Sequence, residues 1–154
     1  MIDYLENDIK KPKYLFHGSP KKLEIIEQRQ SHDSKNNKEN EDYAVFLTSS
    51  FIIASAYAFK DSIKEMSKEL EWEFNIGYNE EQDEPNIIMN NVNISDDIEG
   101  YIYIFPYNPN YDHQENSIQY KCHENIKPID VLKVKFSEFK NHYSINEEIY
   151  NYNK

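Results

Sequence analysis

The sequence predicts an α+β fold, and three observations carry that reading. Short apolar runs of strand length recur along the chain, one long segment has helical spacing, and the two kinds do not alternate in the regular βα order that a parallel sheet requires. With 154 residues the chain is about one domain long, enough for one core and not two. We expect a single domain over 1–154, with its core at about 13–139 and a polar, frayed tail at 144–154.

The elements follow in order. Tyr14-Leu15-Phe16 is an apolar run that enters His17-Gly18-Ser19-Pro20 and predicts a buried strand. QRQSHDSKNNKENED, at 28–42, is almost wholly polar and reads as an exposed loop. YAVFLTSS, at 43–50, is a strand closed by hydroxyl residues, of which Ser49 or Ser50 caps the following helix by accepting a first-turn amide. That helix begins at Phe51 with Ala54, Ala58 and Tyr57 assigned to the face of Phe51, and it either runs to about residue 70 or restarts at Lys60-Asp61-Ser62. EWEFNIGY alternates Trp72, Phe74, Ile76 and Tyr78 with polar residues, which is the period of a half-buried strand. NIIMNNVNI is a weaker strand or a short helix, GYIYIFP a strong strand ended by Pro106, and SIQYKC and IDVLKVKF two further strands.

Composition removes several function classes. The chain carries 17 Lys+Arg against 28 Asp+Glu, a formal charge of −11, and Arg29 is its sole arginine, so stable nucleic-acid binding is not expected. Cys122 is the single cysteine, which excludes an intrachain disulfide and any Cys/His set with zinc-site spacing. The start MIDYLENDIKKPK has no leader pattern and no run of membrane-spanning length occurs, so a soluble, cytoplasmic protein without membrane contact is expected. An aromatic content of 14% supports a packed core rather than general disorder.

Two constellations carry chemistry. At the first, Gly18 removes a side chain beside His17, which permits either an unusual backbone conformation or close approach of a ligand to the main chain. His17 and Ser19 then flank a peptide N–H and C=O, one donor and one acceptor, as a flat carboxamide such as that of nicotinamide requires. The same four residues also read as a strand-ending turn in which His17 caps its own backbone. At the second, Phe46 lies in a strand and Tyr57 eleven positions later on the next helix, so that two rings could enclose a planar cation or simply pack in a core.

Taken together, His17-Gly18-Ser19, Val45-Phe46-Leu47-Thr48-Ser49 and Ala54-Ser55-Ala56-Tyr57 resemble, in order and in the second spacing, the ADP-ribosyltransferase superfamily, in its diphtheria-toxin-like and PARP-like branch with a His-Tyr-Glu triad. The likeness extends through GYIYIFP and KPIDVLKVKF, over about 13–139. It implies a split β-sandwich of two small mixed or antiparallel sheets, with one main helix and a ligand cleft. It implies NAD as substrate and transfer of single ADP-ribose units to a protein or nucleic-acid acceptor. His17 would then bond a ribose hydroxyl, Gly18 and Ser19 would hold the carboxamide, and Ser49 would line the cofactor site. Phe46 would stand in the place of the triad tyrosine, with Tyr57 as the second stacking ring.

The third triad member is normally a glutamate on a late strand, where a carboxylate orients the ribose 2′-hydroxyl and stabilises positive charge on the sugar as the glycosidic bond breaks. Here that position falls on Gln119, and loss of such a group costs about a hundred- to thousandfold in rate. Glu115 has the parity of Gln119 and supplies the charge if the strand starts early; Glu124 has the opposite parity and Glu99 precedes another strand. Without a carboxylate the alternative is a module that binds NAD or ADP-ribose, or works through its acidic surface. An RNA 2′-phosphotransferase of the same superfamily is disfavoured by the lack of cationic side chains. DHQEN at 112–116 with Cys122, His123 and Glu124 lacks a metal-site spacing, and no metal is expected. Cys122 and His123, adjacent on a strand, point apart and cannot share a proton.

Overall fold

In chain order the elements are α1 (Ile2–Leu5), β1 (Tyr14–Ser19), β2 (Arg29–Ser31), β3 (Asp42–Thr48), α2 (Phe51–Met66), β4 (Trp72–Asn75), β5 (Asn86–Met89), β6 (Glu99–Pro106), β7 (Asp112–His113), β8 (Gln119–Cys122), β9 (Asp130–Lys135) and β10 (Ser144–Asn146), with short 3₁₀ turns at Phe136–Glu138 and Lys140–His142. The computed structural model describes residues 2–31, 42–66, 72–75, 85–89 and 94–146. The fold is mixed α+β, mostly antiparallel sheet with one main helix.

Among the described residues the larger sheet has seven strands, ordered β7-β8-β3-β1-β6-β9 with β2 also beside β3, and all its pairings are antiparallel. The smaller sheet, β10-β5-β4, is mixed, because β10 runs parallel to β5. Two small sheets were expected, and the first is large. The cause is that β6, the most apolar strand, pairs on both edges, with β1 and with β9, and so merges neighbouring hairpins into one sheet.

Strand alternation gives this sheet two buried faces. Phe16, Ile102 and Ile104 pack under α2 with Phe51, Phe59 and Phe139, while Leu15, Tyr103 and Phe105 face the other way, against Val45, Leu47 and Tyr120. Burying a side chain of this size contributes roughly 1.5–3 kcal/mol.

α2 starts where Ser50 Oγ accepts the Ile53 amide at 3.1 Å, so Ser50 is the cap. The helix runs through Lys60-Asp61-Ser62 to Met66 without a restart. Phe51, Ala54 and Ala58 are buried as expected, but Tyr57 is 45% exposed and does not share their face. The helix lies unusually close to the sheet. A Cβ on Gly18 would stand 1.9 Å from the Ala54 carbonyl oxygen, and one on Gly100 would stand 2.6 Å from that of Ala58. Neither glycine has a positive φ, so Gly18 answers to helix packing and not to an unusual backbone conformation.

Four elements escape the sequence reading. Arg29–Ser31 of the polar segment pairs with β3 at Ala44, Tyr43 and Asp42, and Ser144–Asn146, assigned to a frayed tail, pairs with β5. α1 and β7, of four and two residues, are too short to show a period. NIIM is a strand, and WEFN is one too, while Ile76 and Tyr78 lie outside the described residues. Among the described residues no helix is long and apolar enough to cross a membrane.

Candidate functional site

β1 does not end at His17. It continues to Ser19, paired with β6 at every residue from Tyr14↔Pro106 to Ser19↔Tyr101. What ends early is its other edge: with β3 it forms one pair, Phe16↔Thr48.

A strand turns its N–H and C=O groups to alternate edges, residue by residue. Lys13 offers its carbonyl to Tyr107 on the β6 side at 3.0 Å. Tyr14 therefore faces the β3 side, and there Asn7 takes both its groups: Oδ1 accepts the Tyr14 N–H at 3.1 Å and Nδ2 donates to its carbonyl at 3.0 Å. The same Nδ2 donates to the Ser49 carbonyl at 2.9 Å, tying β1 to the residue after β3. Phe16 comes next on this edge and meets Thr48. Gly18 follows, and by the same alternation its N–H and C=O point to the β3 edge, past the end of the ladder.

In a continuous ladder the rung after Phe16↔Thr48 would join Gly18 to Phe46. Instead the His17 imidazole reaches across, with Nδ1 2.9 Å from the Phe46 carbonyl oxygen. A carbonyl only accepts, so Nδ1 carries the proton, and the neutral ring presents Nε2 as an acceptor. Burial holds the His17 pKa below its ordinary value; the Phe46 bond opposes this, and the Arg29 charge acts in the same direction as burial. Neutral His17 is thus the form this environment favours. Its ring also lies 6.4 Å, centroid to centroid, from that of Tyr103, whose hydroxyl donates to the Lys21 carbonyl at 2.8 Å and so holds the loop after β1.

The other expected residues distribute unevenly. Ser19 is buried, and its Oγ accepts the Lys21 amide at 3.2 Å. Phe46 is half-buried beside His17, and Tyr57 is exposed on α2 between Ala54 and Ala58, the residues whose backbone crosses β1 at Gly18. Ser49 is placed differently from these. It is fully buried and donates its hydroxyl to the Ile9 carbonyl at 2.8 Å, so it anchors the N-terminal segment. Gln119 opens β8 and pairs with Thr48, which itself pairs with Phe16. The three strands that carry His17, Phe46 and Gln119 are therefore neighbours, in the order β1, β3, β8. Glu115 is exposed in the turn before β8; the strand does not start early, so this residue is not brought to the pairing position of Gln119.

Asp112 and His123 come together with Asp42 rather than with Cys122, which faces the core. Their ligand atoms lie within 4.8 Å of one another, with His123 Nε2 3.4 Å from Asp112 and 3.7 Å from Asp42. The Lys121 ammonium also stands 3.8 Å from Asp42, so the group forms an ion-pair network at the strand ends. Sequence reasoning missed Asn7, Arg29 and Lys121. Lys121 shares the parity of Gln119 on β8 and could have been found that way; Asn7 and Arg29 act through distant backbone pairings that leave no local pattern.

No protein-family model matches this chain, and neither a curated protein nor a solved structure matches it significantly.

Proposed function

We propose that the opening between β1 and β3 binds the nicotinamide end of NAD, and that the protein is ADP-ribosyltransferase-like, with transfer of single ADP-ribose units to a protein or nucleic-acid acceptor as its reaction. The observation that carries this reading is the released edge of β1. Gly18 turns one donor and one acceptor into the opening, the complement of a carboxamide, while His17 holds an acceptor nitrogen beside it for a ribose hydroxyl. Phe46 and Tyr57 would supply ring faces for the nicotinamide.

In the reaction the C1′–N glycosidic bond breaks, its electron pair returns to the nicotinamide nitrogen, and the acceptor attacks C1′ and gives up its proton. Positive charge grows on the ribose as this happens. Gln119 orients a hydroxyl but brings no charge, and the charge that acts on His17 is that of a cation, Arg29. We therefore expect glycosidic cleavage about a hundred- to thousandfold slower than at a carboxylate-equipped site. The same observation favours a second reading, a module that binds NAD or ADP-ribose without turnover.

The test is calorimetric titration with NAD, NADH and ADP-ribose, followed by a nicotinamide-release assay on the same sample. Binding with slow release supports the transferase, and binding without release supports the module. No heat with any of the three ends both.

A further inference from the structure

Phe46, the residue that a further rung would set opposite Gly18, has a partner on its other side. β3 pairs Phe46 with Lys121 of β8, so these two continue the row that Gly18 would join were its rung with Phe46 formed, and Gln119 lies one rung away with Thr48 and Phe16. Phe46 and Lys121, being directly opposed, project from the same face of the sheet. The Lys121 ammonium lies 5.9 Å from the centre of the Phe46 ring, and its side chain is only 12% exposed. A cation therefore already sits against the ring that a nicotinamide would stack upon. One rung further along β3, Arg29 pairs with Ala44 and brings a second cation to the edge of the same opening. Asp42, 3.8 Å from Lys121, and Asp112, directly opposite Lys121 on β7, offset part of this charge.

NAD and NADH share carboxamide, ribose and diphosphate, and differ at the ring: the oxidised nicotinamide is a pyridinium cation, and the reduced one is neutral. Two cations in a half-buried site repel, while a neutral ring keeps its stacking and loses nothing.

We infer that Lys121 makes this opening select the uncharged ring, so that NADH binds in preference to NAD and the site reads the reduced dinucleotide. The inference rests on the second reading above, in which the opening is a nicotinamide-dinucleotide site that binds without turnover. It also gives Gln119 a context, since a site that excludes the pyridinium has no developing ribose charge to stabilise.

The experiment is side-by-side calorimetric titration of the full chain with NAD and NADH, repeated for Lys121→Met and Lys121→Arg, with thermal melts to confirm folding. The parent should bind NADH at least about tenfold more tightly than NAD, as a Coulombic penalty of this range implies. Lys121→Met should bring the ratio close to one by recovering NAD affinity, and Lys121→Arg should keep the preference. Equal or tighter binding of NAD by the parent overturns the inference while leaving the dinucleotide site standing. A preference that persists unchanged in Lys121→Met overturns the role of the lysine. Binding of neither dinucleotide removes the underlying reading, and this inference with it.

Discussion

Along its edge toward β6, β1 pairs residue for residue from Tyr14 to Ser19, while along its edge toward β3 it pairs once, at Phe16. The two edges belong to the same six residues, and the difference shows how one strand anchors and presents at once. The closed edge is locked by β6, and the face above it is covered by α2, whose backbone rests on Gly18 with no room for a methyl group. On the open edge Asn7 takes the groups of Tyr14 and Thr48 pairs with Phe16, Gly18 lies past the end of the ladder, and His17 occupies the position of the missing rung. A strand without the rigid edge would close the gap by pairing with β3, because unpaired backbone groups are costly to leave.

Four experiments break or sharpen this contrast, taken from the largest expected effect on stability to the smallest. Gly18→Ala attacks the packing that holds β1 under α2: a methyl group 1.9 Å from the Ala54 carbonyl oxygen forces α2 off the sheet. A loss of about 3 kcal/mol or more in chemical denaturation is expected. Asn7→Ala removes the clamp where the open edge begins. Its side chain serves Tyr14 N–H, Tyr14 C=O, Ser49 C=O and the Lys13 N–H, and losing these bonds should cost about 2 kcal/mol, with faster hydrogen exchange at Tyr14.

His17→Ala removes the imidazole that spans the opening. Its stability cost should stay within about 1 kcal/mol, one hydrogen bond, whereas dinucleotide binding should vanish in calorimetry. A cooperative collapse of structure would instead make the histidine a structural residue. The last effect is a dependence on pH. Because the folded protein holds the His17 pKa below its ordinary value, the unfolded chain takes up the proton first as pH falls. Stability is full above about pH 6.5 and declines below it, and His17→Gln should flatten that part of the melting-temperature profile. Ligand affinity should fall in the same direction, since protonation removes the Nε2 acceptor.

The sequence carried the closed half of this picture further than the open half. Alternation in GYIYIFP and helical spacing after Ser50 located β6 and α2, because both elements bury apolar faces and periodicity records burial. β2 and β10 are polar segments held by a neighbour's backbone, and backbone pairing leaves no side-chain pattern to read. At the site, His17, Gly18 and Phe46 stood out locally. The reason for Gly18 did not: the structure adds the clearance of α2 to the approach of a ligand, and the helix that demands it lies some 36 residues downstream, at Ala54. Ser49 and Ser50 were equivalent as helix caps until the Ile9 carbonyl claimed the first.

By itself, then, the amino-acid sequence determined that the apolar runs would be strands, that a helix would follow Ser49-Ser50, and that a histidine and a glycine would stand together after an apolar run, since propensity, periodicity and capping act over a few residues. Only the tertiary structure decided that β1, β3 and β8 are neighbours, that the ladder between β1 and β3 opens after a single rung, and that Lys121 stands opposite Phe46. Those facts come from register between strands separated by up to about a hundred residues, which is set by how two buried faces pack against each other and not by any local stretch of chain.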